Sequence, residues 1–488
     1  MTISTYRFPH KLRDGLIAAL PEDPSQHGEA PEARQVYLPL SHIKALNPNA
    51  TLIQGIRGSG KSFWFSVLQE PELRTLLGAQ VGLDADTRMT VGFGQRSSGN
   101  QFPSKDMLIT LIKDGCEPRR LWETVVFRQV LGDQAPPEFK AISGWKARIQ
   151  WIQDHPEAVD EHWYAADIRL DQQKQHHIVL FDALDRTADD WPTMNALVRG
   201  LLQVVLNTRS FRRIRLKVFA RPDQLEDPLV ASFPDASKVI NQKVNLDWPR
   251  RELYGLLWQY LANEPDYGQP FRAGATAVLP SIRWEQNEEV WIVPELIRRD
   301  EEVQKQLFHA LTGPWMGRDK RRGLPYSWLP SHLSDARDQV SPRSFLAALR
   351  YAAQDEPRGD QEYLLHYESI KRGVQAASKI RVTEIEEDYP WIKTLFDPLS
   401  GMTVPCRFSD ICMIWQKAKV IDHLRRGIEN AAVRLPPIHI DAGEEGILVD
   451  LLDLGLVEQL KDQRINLPDV YRVGYGMGRR GGVRPVNT

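Results

Sequence analysis

The run Gly55-Ile56-Arg57-Gly58-Ser59-Gly60-Lys61-Ser62 has the types and spacing, GxxxxGK[ST], of a loop that wraps a polyphosphate. Glycines let backbone N–H groups turn inward around the phosphates. The start of a following helix adds a favourable dipole. Lys61 is placed to reach the β- and γ-phosphates, and the Ser62 hydroxyl to ligate Mg2+. ATP with Mg2+ is the expected ligand, because the chain has no NKxD element of the kind that selects guanine.

Carboxylates and arginines suited to such a site follow in order. The apolar run His177–Phe181 (HIVLF) reads as a fully buried strand leading into Asp182, with Asp185 close behind in FDALDR. An acid at a strand tip beside the loop can hold Mg2+ through water, and a second one can orient or deprotonate the attacking water. Two solvated, cap-forming aspartates are the plainer alternative. Arg221 closes the strand-like IRLKVFA, where it can sense the γ-phosphate or offset charge in the transition state. A surface ion pair is its alternative. Arg343, at a helix start in SPRSF, can fold back over a nucleotide or stay solvated. The expected catalytic set is therefore Asp185, Asp182, Arg221 and Arg343. The nucleotide set is Gly55, Arg57, Gly58, Ser59, Gly60, Lys61 and Ser62, and the metal set is Ser62 and Asp182.

These groups must be carried by strand–loop–helix units. Thr51–Ile53 is short and apolar, and helical spacing continues after Lys61 through Phe65 and Leu68. Further strands are expected at Met89–Phe93, Ile214–Ala220 and Lys238–Leu246, and helices at Met194–Leu206 and Arg251–Ala262. The alternation predicts an α/β class with a parallel sheet covered by helices on both faces. Between the second strand and HIVLF lies a helical insertion over residues 100–175, with a loop at 96–105. LPLSHIKAL predicts a short helix beside the nucleotide. Four regions result: a flexible N-terminal segment over 1–35, a P-loop core over 36–265, a helical lid over 266–378, and a winged-helix-like domain with a basic tail over 379–488. The last reading rests on EGILVDLLDLGLVEQLKDQRINLPDVYRVGYG, which parses as helix, turn, strand, turn, strand.

Composition bounds the rest. The 488 residues are 42% hydrophobic and 26% charged, which is a globular composition too long for one core. The net charge of −2 makes the whole chain no polycation, although a balanced total can hide a basic patch. Cys116, Cys406 and Cys412 form no pair with zinc spacing and read as thiols of a reducing compartment. The N-terminus lacks a signal-peptide core, and no apolar stretch is long enough for a membrane span, so a cytoplasmic protein without membrane contact is expected.

The elements, in this order, resemble the STAND and KAP groups of P-loop ATPases and their AAA+ relatives. LFDALDR is similar to their apolar-Asp-x-apolar-Asp motif, and close to the DDLDR form of KAP proteins. Arg221 in FARPD matches the sensor arginine, and Pro342-Arg343 matches the lid motif. The resemblance implies ATP hydrolysis, a nucleotide-driven homo-oligomeric switch or motor, and a place in antiviral defence with a partner effector protein. Ala183 stands where the family usually has an acid, which leaves Asp185 as the base or weakens hydrolysis. KAP proteins often carry membrane segments, and here none is expected.

DNA enters through the chain's end. Lys461, Arg464, Arg472, Arg479, Arg480 and Arg484 face only Asp462 and Asp469 in that stretch, with Tyr471 and Tyr475 between them. A winged helix with arginines on its wing can bind phosphate backbones or serve protein contacts. The loop Arg318, Lys320, Arg321 and Arg322 is a second basic cluster, either solvated or supplying an arginine finger to a neighbouring subunit. An ATP-gated DNA-binding adaptor with little hydrolysis is the alternative to the assembly switch.

Overall fold

Five strands pair in parallel in the order β2-β3-β4-β1-β5. They are β1 (Leu52–Gln54), β2 (Arg88–Phe93), β3 (His177–Phe181), β4 (Ile214–Ala220) and β5 (Val244–Asn245). The structure is a computed structural model, and it describes residues 6–22, 30–84, 86–96, 101–356, 362–430, 432–480 and 483–485. Register brings Gln54 level with Ala220, and Phe181 level with Val218 and Phe93. All five strands therefore end at one edge. The chain leaves that edge as Gly55 after β1, Gln95 shortly after β2, Asp182 after β3 and Arg221 after β4. Open parallel sheets bind ligands at this carboxyl edge.

Both faces of β3 are covered, which is why all five of its residues are buried and why its sequence does not alternate. Helix Lys61–Gln69 packs on β2 and β4, helix Pro118–Leu131 on β2 and β3, and helix Trp191–Thr208 on β4. Trp122 packs edge-on against both Phe93 and Phe181, and its indole N–H donates to the Leu197 carbonyl at 2.8 Å. Helix Pro118–Leu131 thus does more than an insertion. It is the crossover that two adjacent parallel strands require, with helices Lys105–Lys113, Pro137–Ala141, Trp145–Asp154 and Pro156–Gln172 built around it. Residues 97–100 of the expected loop lie outside the described residues.

Buried polar groups tie the sheet to its flanks. Lys217 on β4 is fully buried, and its ammonium donates to the carbonyls of Ala45, Asn47 and Ala50 at 2.7–2.9 Å. Three acceptors match the three protons of a buried ammonium. His42 accepts the Trp64 indole N–H at Nδ1 (3.0 Å), and its Nε2–H donates to the Asp247 carbonyl (3.1 Å). That pattern requires the neutral ring, and burial lowers the His42 pKa to about 3. Burial, followed by the charges of Arg88 and Arg169, lowers His177 to about 3 as well. Both rings bind fewer protons folded than unfolded between about pH 3 and the ordinary value of 6.5. Stability is therefore lost as pH falls below 6.5, by about 2 kcal/mol per histidine at pH 5. Urea unfolding followed by tryptophan fluorescence should show a lower midpoint at pH 5.0 than at 7.5. His177→Gln should flatten the difference, and an unchanged slope in that variant would remove His177 from the account.

A second compact unit comprises Trp248–Thr488, Glu32–Pro39 and the described residues before 23. Where the sequence reading expects a flexible lead-in over 1–35, the chain forms helix Leu12–Ala19. Leu12, Leu16 and Leu20 join a core with Phe8, Tyr37, Leu253, Leu257 and Phe271. The apolar residues recur every four positions, so one face of this short helix is buried despite the charges between them. Residues 1–5 and 23–29 of that segment lie outside the described residues. A small antiparallel pair, β6 (Glu285–Asn287) and β7 (Val290–Ile292), decorates the unit. Helices Pro342–Gln354 and Tyr367–Asp388 pack closely because Gly373 has no Cβ to meet the Ala348 carbonyl oxygen.

The C-terminal part has a winged-helix outline. Helices Trp391–Phe396, Phe408–Lys417, Val420–Glu429 and Gly443–Asp453 precede the hairpin of β8 (Glu458–Gln459) and β9 (Ile465–Asn466), and Cys406 bridges to Ile465. The interleaved tyrosines and Arg472 are not wing surface. Tyr471 and Tyr475 are 1% and 7% exposed, and Tyr475 stacks on Phe396 at 4.4 Å. Arg472 is fully buried. It pairs with Asp469 at 2.7 Å and donates to the carbonyls of Met477 and Val483, so its charge staples the end of the chain. Arg464 pairs with Asp462, and Arg479 with Asp469. The described residues include no helix long and apolar enough to cross a membrane.

Candidate phosphate and metal site

The loop after β1 is shaped by local constraints. Gly58 and Gly60 have φ of +78° and +97°, a left-handed conformation that L side chains rarely adopt. A Cβ on Gly55 would stand 2.2 Å from the Ser59 Oγ, so a side chain there would displace that hydroxyl. Gly55 N–H donates to Ala220 O at 3.1 Å, which fixes the loop's start to the end of β4. The helix begins at Lys61 with Gly60 as its cap. Its first N–H groups have no intrahelical acceptor, which is the arrangement an anion requires.

Lys61 lies over the loop and donates to the carbonyls of Gly55 (2.7 Å) and Ile56 (2.9 Å). Burial first, and the nearby Arg221 charge second, lower its pKa to about 8. Asp182 and Asp185 act in the opposite direction, so both carboxylates lie within electrostatic reach of the ammonium. Ser62 Oγ donates to Asp182 Oδ2 at 2.7 Å. Asp182 is 1% exposed, and burial raises its pKa against the opposing pull of Ser62 and Lys61.

Ala183 takes a left-handed conformation (φ +57°) and turns the chain into the short 3-10 segment Leu184–Arg186. Asp185 is thereby set 3.9 Å from Arg221 Nη1, and Arg221 Nε lies 3.5 Å from Asp223. Arg221 is 7% exposed, and its backbone N–H donates to Gln224 Oε1 at 2.8 Å. One edge of the sheet therefore gathers the loop, Lys61, Ser62, Asp182, Asp185 and Arg221. Arg57 and Ser59 belong to the loop itself.

Arg343 is placed differently. It sits at the start of helix Pro342–Gln354 in the second unit, and its guanidinium pairs with Glu384 at 2.5 Å. That carboxylate must be given up before the group can serve a phosphate. In the basic loop, Arg321 pairs with Asp319 at 2.9 Å.

Sequence reasoning missed Gln95. Its side-chain N–H donates to Ser62 Oγ at 3.0 Å, so the hydroxyl is held between an amide and a carboxylate. Its only sequence signal is position, two residues beyond a strand that ends at the phosphate edge. The hydroxyl of Ser62, the carboxylate of Asp182 and the amide of Gln95 are hard oxygen donors or hold one. Mg2+ takes one or two such protein groups and completes its shell with water and phosphate. The set fits Mg2+, with Ser62 and Asp182 as the residues that would hold it. Among the described residues no cluster of three or more His, Cys, Asp or Glu side chains suits a metal.

Sheet order, glycine loop, helix start and strand-tip acid together define a P-loop nucleotide-binding fold, α/β in class, followed by a helical region and a winged-helix-like end. No protein-family model and no curated protein matches the chain. Among solved structures, the chain is similar to the Aeropyrum pernix Orc1 protein in complex with DNA (14% identity, 93% of each chain covered, TM-score 0.32). It is also similar to Cdc6p from Pyrobaculum aerophilum (11%, 93% of each chain, TM-score 0.30). A third is the Aeropyrum pernix ORC2 protein in ADPNP and ADP complexes (13%, 89% of this chain and 93% of that one, TM-score 0.29). At TM-scores of this size the likeness adds nothing to what the strand order and the loop establish.

Proposed function

We propose that the chain binds ATP with Mg2+ at Gly55–Ser62 and hydrolyses it, acting as a nucleotide-driven switch. The observation that carries this reading is the 2.7 Å bond from Ser62 Oγ to Asp182 Oδ2 beside a lysine seated on the glycine loop. Backbone N–H groups and Lys61 would bind the β- and γ-phosphates. The metal, held by Ser62 and Asp182, would offset phosphate charge. Asp185 would take or orient the proton of the attacking water, with Arg221 holding that carboxylate and facing the charge that develops on the γ-phosphate. The test is phosphate release by the full chain with ATP and Mg2+, together with its mass in solution with and without a non-hydrolysable ATP analogue. Turnover that needs Mg2+, and a particle whose mass changes with the analogue, are the expected results. Absence of nucleotide binding would end the proposal, and binding and turnover without a change in mass would remove the assembly step.

A second reading, an ATP-gated DNA adaptor, has its own observation. Lys417, Lys419, Arg425 and Arg426 are exposed on or beside helix Val420–Glu429, and Lys461 and Arg464 are exposed on the turn of the β8–β9 hairpin. The helix directly before that hairpin, Gly443–Asp453, carries Glu444, Glu445, Asp450 and Asp453 and no basic residue. Acidic side chains repel a phosphate groove, so this second reading places DNA on helix Val420–Glu429 and the wing rather than on Gly443–Asp453. Duplex binding that falls steeply with salt would favour it, and no binding at low salt would remove it.

A further inference from the structure

Within the unit that holds the parallel sheet, a cavity of about 300 Å³ opens between the start of β2 and the helices that follow it. Four of its lining side chains are basic: Arg88 on β2, Arg128 on helix Pro118–Leu131, Lys140 on helix Pro137–Ala141, and Arg148 on helix Trp145–Asp154. Among the described residues that line it, Asp133 is the one carboxylate. Folding has therefore brought four cations from four elements to one concavity, although the chain as a whole is slightly acidic.

Like charges do not gather in this way without something to balance them. Surface lysines and arginines usually meet carboxylates or water, but Arg148 is only 8% exposed. Its Nε is buried with no hydrogen-bond partner, and burial is the one influence that shifts its pKa, downward, with no carboxylate acting on it. The compensation shown for Arg148 is aromatic, its guanidinium carbon lying 5.4 Å from the Trp145 ring centroid, and the Arg128 guanidinium lies 5.9 Å from the same ring. A guanidinium whose buried Nε–H lacks an acceptor is costly. Its planar fork matches the oxygens of a phosphate. The charges also feel one another, since Arg148 lowers the pKa of Arg128 after burial does. The volume lies at the small end of ligand cavities. Buried Phe139 supplies an apolar wall, and the Thr90 hydroxyl, bonded to His177 at 3.0 Å, supplies a polar one.

We propose that this cavity is a second anion site, separate from Gly55–Ser62, that takes a phosphate monoester bearing a small organic group. The phosphate would lie between Arg88, Arg128 and Arg148, and the organic part against Phe139. The same chemistry is offered by a free mononucleotide and by the 5′-phosphate end of a nucleic acid. Because the glycine loop also binds phosphate, the measurement is made on full-length Lys61→Ala protein, by calorimetry at low salt. The probes are inorganic phosphate, uridine 5′-monophosphate and a 5′-phosphorylated oligonucleotide with its unphosphorylated twin. At least one probe should bind with one site per chain. Arg148→Gln and Arg88→Gln should each weaken it roughly tenfold to a hundredfold. Arg88 is exposed, so its substitution tests the site even where Arg148→Gln disturbs folding. Binding of uridine monophosphate identifies a free metabolite as the source. Binding of the phosphorylated oligonucleotide alone, lost in its twin, identifies a nucleic-acid end. Binding by none of the three, or binding that Arg88→Gln leaves unchanged, overturns the proposal.

Discussion

ATP turnover in Lys61→Ala is expected to fall by at least ~10²-fold, with nucleotide affinity falling alongside it. The expectation follows from where the ammonium sits. Two of its three protons already meet loop carbonyls, at 2.7 and 2.9 Å, so the side chain is held in the concavity rather than searching for it. Burial and the Arg221 charge lower its pKa to about 8, which leaves it mostly protonated at pH 7 but weakly solvated. A dianionic phosphate offers this group a better partner than either carbonyl. Because the ammonium would meet both the bound phosphates and the charge redistributed over them in the transition state, its loss should raise KM and lower kcat together. The measurement is phosphate release at saturating ATP, paired with titration of a fluorescent ATP analogue. Urea unfolding of the variant controls for the two lost carbonyl bonds. Wild-type turnover in a folded Lys61→Ala protein would show that the loop is not where ATP is cleaved.

The parts of this site that could be read in the sequence are those whose chemistry is local. Gly55 to Ser62 is legible because steric demand, left-handed backbone and helix start all fall within eight consecutive residues, so their types and order are fixed together. HIVLF-Asp182 is legible because a strand covered on both faces must be apolar throughout, and the acid marks where the strand itself ends. Gln95 was not legible, since an amide two residues past a strand has no meaning until register sets Phe93 level with Phe181. Arg472 was misleading for a related reason. In sequence it is one basic residue among several, while its burial depends on acceptors from Asp469, Met477 and Val483 that only the folded chain brings together. The basic cavity was invisible on the same grounds. Its four cations are scattered from residue 88 to residue 148, and none of their neighbours in sequence marks them. Helix Leu12–Ala19 was missed because eight residues, two of them charged, give too short a period to separate a buried face from a polar segment.

Asp185→Asn should retain ATP and lose most of its cleavage, and this outcome divides the two carboxylates by role. Asp182 is committed to Ser62 at 2.7 Å and nearly fully buried, which suits a group that holds a metal in place and rarely leaves it. Asp185 is one 3-10 turn further on, partly exposed, and 3.9 Å from Arg221. A carboxylate so placed can meet a water at the γ-phosphate while the guanidinium holds it in orientation. With Ala183 between them, no acid adjoins Asp182, so the proton must go to Asp185 or to no side chain at this strand tip. Asparagine keeps the size and one hydrogen-bonding oxygen but cannot accept that proton. The expected fall in kcat is therefore ~10²–10⁴-fold, with ATP affinity within about threefold of wild type. Asp182→Asn differs in kind, since its deficit should be partly recovered by raising Mg2+, whereas that of Asp185→Asn should not. If Asp185→Asn hydrolyses ATP at the wild-type rate, the residue is only the partner of Arg221, and the attacking water must be activated by the phosphate it attacks.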